Sequence, residues 1–515
     1  MFDTSLYDAV VALYVGALVI LFAFGVHGLV MLYFYHRTRE RKLRPTAAML
    51  DPLPVVTIQL PIYNEVYVVE RLIDAVVRVD YPADKLEIQV LDDSTDETQQ
   101  VARERVEYYR TLGYDIHYIH RSNREGYKAG ALRYGLSLAR GEYIAIFDAD
   151  FIPKPDFLQK TLPYFADPRV GMVQTRWEHL NEDYSLLTRA QALALDGHFV
   201  IEQQVRYKAG FFINFNGTAG IWRRLCIEDA GNWQSDTLAE DLDLSYRAQL
   251  RGWKFVFLND VTSPAELPAD INALKSQQFR WTKGAVEAAK KLLPAVWRSR
   301  LPLATKLECT IHLTSNIVFP FILLVAFLNL PMVLIKNLVG GYDELFTLMS
   351  IFVLASVSTF LFYLYSQRSV HEDWQRRVLL FPLFMAGSMG LAINNTKAVI
   401  EALIGKRSEF TRTPKYRITS SNDDWRTRKY ARMPLRASVL VELLLGMYFT
   451  ISICVSLYYA ELAAIPFQLL FLIGFGGIGY LSLVHWLDAW RSASVQGSRQ
   501  LHHAMKPATV AQPTK

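Results

Sequence analysis

Cysteine is scarce. Cys226, Cys309 and Cys454 stand far apart in the chain, which excludes a disulfide framework and a thiolate metal cluster of ordinary spacing. Strong charge of one sign is also missing. A formal net charge of +5 over 515 residues follows the loops flanking apolar stretches and carries none of the basic excess of a nucleic-acid binder, so no nucleic acid partner is expected. No internal repeat is present. Residues 9–35 lack Asp, Glu, Lys and Arg altogether. Roughly 20 apolar residues cross a bilayer as a helix. A cleavable signal peptide would have an apolar core of about 7–15 residues followed by a small-residue cleavage site. Instead HRTRERKLR follows, with Arg or Lys at five of its nine positions. That basic flank places this end in the cytoplasm and the N-terminus outside.

Between 50 and 300 the composition is that of a soluble domain with a sizeable core. VVTIQL, EIQVL, DIHYIH, YIAIF and GMVQT read as strands, and VVERLIDAVVRV, DETQQVARERVEYYRTL and YKAGALRYGLSLA as helices between them. Such alternation predicts a parallel, doubly wound sheet, whose ligands bind beyond the carboxyl ends of the strands.

After residue 308 the long apolar stretches return. Segments 309–335 and 345–366 form one predicted hairpin of spans, and 437–459 and 465–487 another. The basic stretch 399–432 between them belongs inside. Residues 378–398 conflict with that, because one more crossing would put the basic stretch outside. They carry Pro382, Gly387, Gly390, Asn394 and Asn395, and are read as a helix lying in the interface. Five spans result. The predicted organisation is 1–45, a transmembrane helix with its basic flank; 46–300, a cytosolic domain; 301–370, a hairpin; 371–432, an interface helix and cytosolic loop; 433–490, a second hairpin; and 491–515, a disordered cytosolic tail.

Three predicted strands end in polar clusters on one edge of the sheet: PIYNE (61–65), DDSTDET (92–98) and DAD (148–150). Acidic residues at strand ends are often helix caps or turn formers, but three clusters on one edge point to a site. Asp148 and Asp150 suit a hard divalent cation, which commonly also binds phosphate. Lys128, where a glycine turn enters a helix, suits phosphate too. Glu240 and Asp241 open a helix; acids there are usually dipole partners, or else a general base. The loop FNGTAGIW (215–222) allows close backbone approach. In QQFRW (277–281), Gln277, Arg280 and Trp281 share a helical face. That face combines a phosphate-binding guanidinium with an indole suited to the apolar face of a sugar.

Taken in order, Asp92-Asp93, Asp148-x-Asp150, Glu240-Asp241 and Gln277-x-x-Arg280-Trp281 resemble the motif set of inverting family 2 glycosyltransferases. IQLPIYNE, QVLDDSTD, REGYKAGAL, AIFDADF, FNGTAGIWR and QQFRW together are similar to the mannan and glucomannan synthase branch of cellulose synthase-like proteins, over about residues 55–300. The resemblance implies an α/β GT-A (Rossmann-like) cytosolic glycosyltransferase domain fused to an α-helical transmembrane region. It implies that Asp92 contacts the nucleotide base with Tyr63, Asn64 and Glu65 nearby, and that Lys128 approaches the ribose or diphosphate. Asp148 and Asp150 would bind the diphosphate with Mg2+ or Mn2+, with Gln277 and Arg280 on the pyrophosphate. Asp241 would be the general base beside Glu240, Trp281 would stack under the acceptor sugar, and Asn216, Gly217 and Thr218 would shape the acceptor pocket.

Two departures stand out. The family's TED triplet is Ala239-Glu240-Asp241 here, with both acids kept. The FxVTxK gating loop of cellulose synthases is represented by Phe410-Thr-Arg-Thr413-Pro-Lys415, where Phe, Thr and Lys keep their spacing while Arg replaces Val and a Pro is added. The implied activity is a processive β-glycan synthase using a nucleotide-diphosphate sugar of the UDP-glucose or GDP-mannose type. Its partners would be that donor, a glycan or lipid acceptor and membrane lipids, with a homo-oligomer left open. A glycolipid glycosyltransferase would share these motifs. A non-catalytic protein on the same fold would be expected to lose an acidic motif, and none is lost.

Overall fold

The structure, a computed structural model, describes residues 4–41, 45, 49–408, 410–420, 422–431 and 434–504, excepting the side chains of Thr4 and of 492–504. Lys42 and Arg44 of the basic flank, Arg432 of the basic loop and residues 505–515 of the expected tail lie outside the described residues.

Seven strands form one sheet: β1 (Val56–Ile62), β2 (Leu86–Asp92), β3 (Ile116–His120), β4 (Tyr143–Ile146), β5 (Val170–His179), β6 (Gly220–Arg223) and β7 (Lys254–Ala265), in the order β3-β2-β1-β4-β6-β5-β7. The five expected strands are present. The sheet is mixed rather than wholly parallel, because β6 runs antiparallel to both β4 and β5. Gly217 at φ 80° and Ala219 at φ 54° reverse the chain just before it, so the second half of the expected glycine loop is a short strand.

Helices cover both faces, as the near-continuous apolar strands require. Successive residues of β4 point to opposite sides. Ile144 and Ile146 pack with Phe215, Trp222 and Trp233. Ala145 and the following Phe147 pack with Ile58, Leu60 and Leu72. Each fully buried large side chain of this kind contributes about 1.5–3 kcal/mol. The hydrophobic run thus holds β4 in the sheet centre and delivers Asp148 and Asp150 at its carboxyl end.

Among the described residues, five helices are long and apolar enough to cross a membrane: Ser5–Thr38, Leu303–Leu338, Asp343–Val370, Ser438–Tyr458 and Ile465–Arg491. They coincide with the five expected segments. The region 378–398 is not a single interface helix but part of a bent pair, Trp374–Gly390 and Ala392–Leu403, meeting at 44°. Its glycines explain the packing. A Cβ at Gly390 would stand 2.2 Å from Gly474 O, and one at Gly474 2.3 Å from Ala386 O, so these backbones touch directly. The last helix continues to Ala504, past the point where a disordered tail is expected; the segment 491–504 holds no proline to stop it.

The helix carrying QQFRW, Ile271–Arg298, begins at Asp270, whose carboxylate accepts the N–H groups of Asn272 and Ala273 at 3.2 and 2.9 Å. Such caps are worth about 1 kcal/mol. Lys275 ties this helix to the apolar helices Ser438–Tyr458 and Ile465–Arg491. Its ammonium is fully buried and lies 2.6 and 2.7 Å from the Glu442 carboxylate and 2.7 Å from Ser482 Oγ.

Candidate functional site: a carboxylate-lined cleft at the strand ends

The ends of β1, β2, β4 and β5, the turn before β6, the start of Glu240–Leu250 and the QQFRW helix enclose one cleft. Its lining includes Tyr63, Glu65, Lys128, Asp148, Asp150, Asn216, Gly217, Glu240, Asp241, Gln277, Arg280 and Trp281. Phe410, Thr413 and Lys415 of the basic loop line it as well, although more than a hundred residues separate them from QQFRW.

Lys128 Nζ donates to Asp148 Oδ1 at 2.5 Å and to Gly217 O at 2.8 Å. Burial works against its charge, but Asp148, Glu240 and Asp241 outweigh it and raise the pKa. Gly217 suits its positive φ of 80°, and a side chain there would crowd the cleft. A Cβ there would stand 3.0 Å from Asp241 Oδ2 and 3.4 Å from Lys128 Nζ. Burial, then repulsion from Glu240, pushes the Asp241 carboxyl up to about 7. One carboxylate oxygen of Asp241 accepts the Leu242 N–H at 2.8 Å. The other lies near Gly217. A carboxyl near neutrality beside a cation suits proton transfer.

Asp150 is ion-paired with Lys415, whose ammonium also donates to Glu266 O at 3.0 Å. Arg280 Nη2 donates to Thr413 Oγ1 at 2.9 Å, and its guanidinium lies 4.5 Å from the Phe410 ring centroid. Arg412 stands 3.9 Å from Glu65. Burial raises the Glu65 carboxyl to about 7 against the opposing charge of Arg412. Trp281 differs from its neighbours in being 38% exposed, with its ring 6.5 Å from that of Trp177. Asp148 and Asp150 fit a hard cation held by one or two carboxylates plus phosphate oxygens. No group of three or more metal-ligating side chains exists among the described residues, so further ligands would come from phosphate or water.

Three expected contacts are placed otherwise. Asp92 is fully buried under the end of β2, accepting the Tyr118 O–H at 2.7 Å and the Ser94 N–H at 2.8 Å. The next residue, Asp93, lines the cleft instead and is held by Arg121 at 2.8 and 2.5 Å. Asn64 braces the neighbouring loop through its Oδ1, which accepts the Thr95 N–H at 2.8 Å. Thr218 is buried behind the cleft, its Oγ1 accepting the Asp148 N–H at 2.9 Å.

Other lining residues escape a motif-based reading. Arg124, four residues before Lys128, lies with its guanidinium 3.4 Å from the Tyr63 ring centroid. Trp177 and His179 extend β5 into the cleft on alternate positions. Among the described residues, Trp177 Nε1 and His179 Nδ1 are buried without a hydrogen-bond partner, while His179 Nε2 stands 3.6 Å from the buried Asp196 carboxylate. Buried polar atoms left unpaired cost about 1–3 kcal/mol each, a cost that ligand hydroxyls would remove. Period-2 alternation past GMVQT was the available signal.

This mixed sheet, with its acids at the strand ends, defines a GT-A-type glycosyltransferase domain. Residues 54–284 match the family described as glycosyltransferase like family 2. The chain is similar to glucomannan 4-β-mannosyltransferase 2 of Arabidopsis thaliana, at 44% identity over 252 residues covering 48% of this chain and 47% of that protein. It is also similar to glucomannan 4-β-mannosyltransferase 1 of Oryza sativa subsp. japonica, at 42% over 276 residues covering 53% and 52%. The chain thus spans about half the length of these curated relatives. Among solved structures, the mannosyltransferase PcManGT from Pyrobaculum calidifontis, in complex with GDP-Man and Mn2+, shares the fold with a TM-score of 0.53 at 21% identity, over 76% of this chain and 100% of that one.

Proposed function

We propose that this protein is a processive, membrane-embedded β-glycan synthase. It transfers hexosyl units from a nucleotide-diphosphate sugar to a growing polysaccharide with inversion, and passes the product through its own helices. The observation that carries the reading is the single cleft in which Lys128, Asp148, Asp150 and Arg280 meet Asp241 and the half-exposed Trp281. The names of the relatives favour a mannosyl donor and a β-1,4-linked mannan or glucomannan as product; GDP-mannose is the first candidate donor and UDP-glucose the second.

In this reading Lys128, Gln277 and Arg280 bind the diphosphate, and Tyr63 and Asp93 border the nucleotide. Asp148 and Asp150 would hold Mg2+ or Mn2+, which when bound offsets charge growing on the leaving diphosphate. Trp281 stacks under the terminal acceptor sugar, and Trp177 and His179 meet its hydroxyls. Asp241 takes the proton of the attacking hydroxyl as that oxygen bonds to the anomeric carbon from the side opposite the diphosphate. The α-linked donor therefore becomes a β-linked product. Positioned acid–base help of this kind supplies about 10²–10⁴-fold. The Phe410–Lys415 segment closes over the donor between additions. The catalytic domain faces the cytosol, where nucleotide sugars are available.

Membrane vesicles supplied with radiolabelled GDP-mannose or UDP-glucose and Mg2+ or Mn2+ test the proposal. A large, β-glycanase-sensitive product is expected. A product wholly extractable into organic solvent would instead assign the protein to glycolipid synthesis, a reading that shares the same cleft.

A further inference from the structure

Residues Gly197–Gln203 form a π-helix between the α-helices Leu186–Asp196 and Gln204–Ala209. In an α-helix, residues five apart point about 140° away from one another. The wider π turn, with its i→i+5 hydrogen bonds, brings such residues onto one face, and π segments occur often at functional sites. His198 and Gln203 are five apart, and both contact one side chain of the cleft, Asn216. Gln203 Nε2 donates to Asn216 Oδ1 at 2.7 Å and to Asn214 O at 2.7 Å. Asn216 Nδ2 lies 2.9 Å from His198 Nε2, and His198 Nδ1 lies 3.0 Å from Glu202 Oε2. The main-chain N–H of Asn216 donates to Gln174 Oε1 at 3.0 Å.

Only one pattern of hydrogens satisfies these contacts. Arg206, itself bonded to Glu308 at 2.9 Å, stands 3.5 Å from Glu202 and keeps that carboxylate ionised. An ionised carboxylate only accepts, so His198 Nδ1 carries a hydrogen. Gln203 Nε2, fixed as a donor by Asn214 O, holds Asn216 Oδ1, so Asn216 turns its NH2 group toward His198, whose Nε2 accepts. One N–H of that NH2 group is used by His198. The other is left for the cleft, whose lining Asn216 shares with Asp241 and Trp281.

We propose that His198 and Gln203 are positioning residues that lock the Asn216 amide so that its free N–H donates to an oxygen of the acceptor sugar, setting the attacking hydroxyl before Asp241. The π-helix is the backbone device that lets two residues five apart grip one amide. This assignment rests on the glycan synthase reading above.

The test uses the full chain in membranes with Mn2+, radiolabelled GDP-mannose and added β-1,4-mannotetraose. Acceptor KM, donor KM, kcat and GDP affinity are measured separately. Loss of one oriented hydrogen bond predicts a rise in mannotetraose KM of about fivefold to tenfold for His198→Ala, with donor KM and GDP affinity within about twofold of wild type. His198→Gln, whose amide oxygen accepts from Asn216, recovers most of the loss. Asn216→Ala reproduces the acceptor defect, and adding His198→Ala to it costs nothing more, since coupled residues are non-additive. An unchanged acceptor KM in His198→Ala overturns the assignment, as do fully additive effects. Equal losses in GDP affinity and acceptor KM, with no recovery in His198→Gln, reduce His198 to a folding role and also overturn it. Wild-type protein that never transfers to mannotetraose or to endogenous glycan, from either donor, overturns the synthase reading itself.

Discussion

Lys415 and Asp150, 265 positions apart in the chain, form an ion pair inside the cleft. The loop carrying Lys415 therefore brings its own cation to a carboxylate suited to a metal ion. Lys415→Ala is expected to raise the affinity for Mn2+ severalfold in the absence of donor, read from the free Mn2+ signal by electron paramagnetic resonance. The same variant is expected to lose transfer activity through failure to close over the donor. Unchanged Mn2+ affinity would mean that lysine and metal do not compete for Asp150.

Asp241 sets the expected pH dependence. Its carboxyl is raised to about 7 by burial and by Glu240, and a base works only when deprotonated. The rate kcat/KM should therefore fall as pH drops through about 7, approaching tenfold per pH unit well below it, and level off above. Asp241→Asn should lower kcat by about 10²–10⁴-fold while GDP binding persists. A profile flat from pH 8 to 5.5 would remove Asp241 from the role of base.

The buried Lys275–Glu442 pair predicts a stability effect far from the cleft. Replacing Lys275 by Met leaves the Glu442 charge buried without its partner, a change that costs about 3–5 kcal/mol. A lowered unfolding midpoint of the detergent-solubilised protein is expected. Lys275→Met combined with Glu442→Leu should restore most of it, because no lone charge remains. A single variant as stable as wild type would show that the pair does not tie the QQFRW helix to the spans.

Topology gives a fourth prediction. An epitope tag inserted after Ser420, in the segment that follows the cleft loop, should be reached by antibody only after the cytosolic face is opened. Labelling from outside would restore an extra crossing through the bent pair Trp374–Gly390 and Ala392–Leu403.

Much of the cleft was legible because the groups that do chemistry follow short apolar strands. YIAIF forces Asp148 and Asp150 to its end, and helical spacing puts Gln277, Arg280 and Trp281 on one face. The exchange of Asp92 for Asp93 was not legible. Adjacent residues at a strand end point oppositely, and only the pairing of β2 between β1 and β3 decides which one turns inward. The antiparallel β6 was hidden for a similar reason. Four residues carry too little periodicity to reveal a strand, and its direction depends on the turn through Gly217 and Ala219.

The sequence by itself determined the order of the acidic motifs, the five apolar segments and the kind of chemistry their side chains allow, because these depend on residue type and local period. Tertiary structure alone decided that Phe410–Lys415 lies on the acids of β4, that Trp177 and His179 join Trp281, and that His198 and Gln203 close on Asn216. Those contacts join residues from separate elements. The π turn that brings His198 and Gln203 together is likewise set by packing, since residue type and spacing alone do not distinguish it from an α turn.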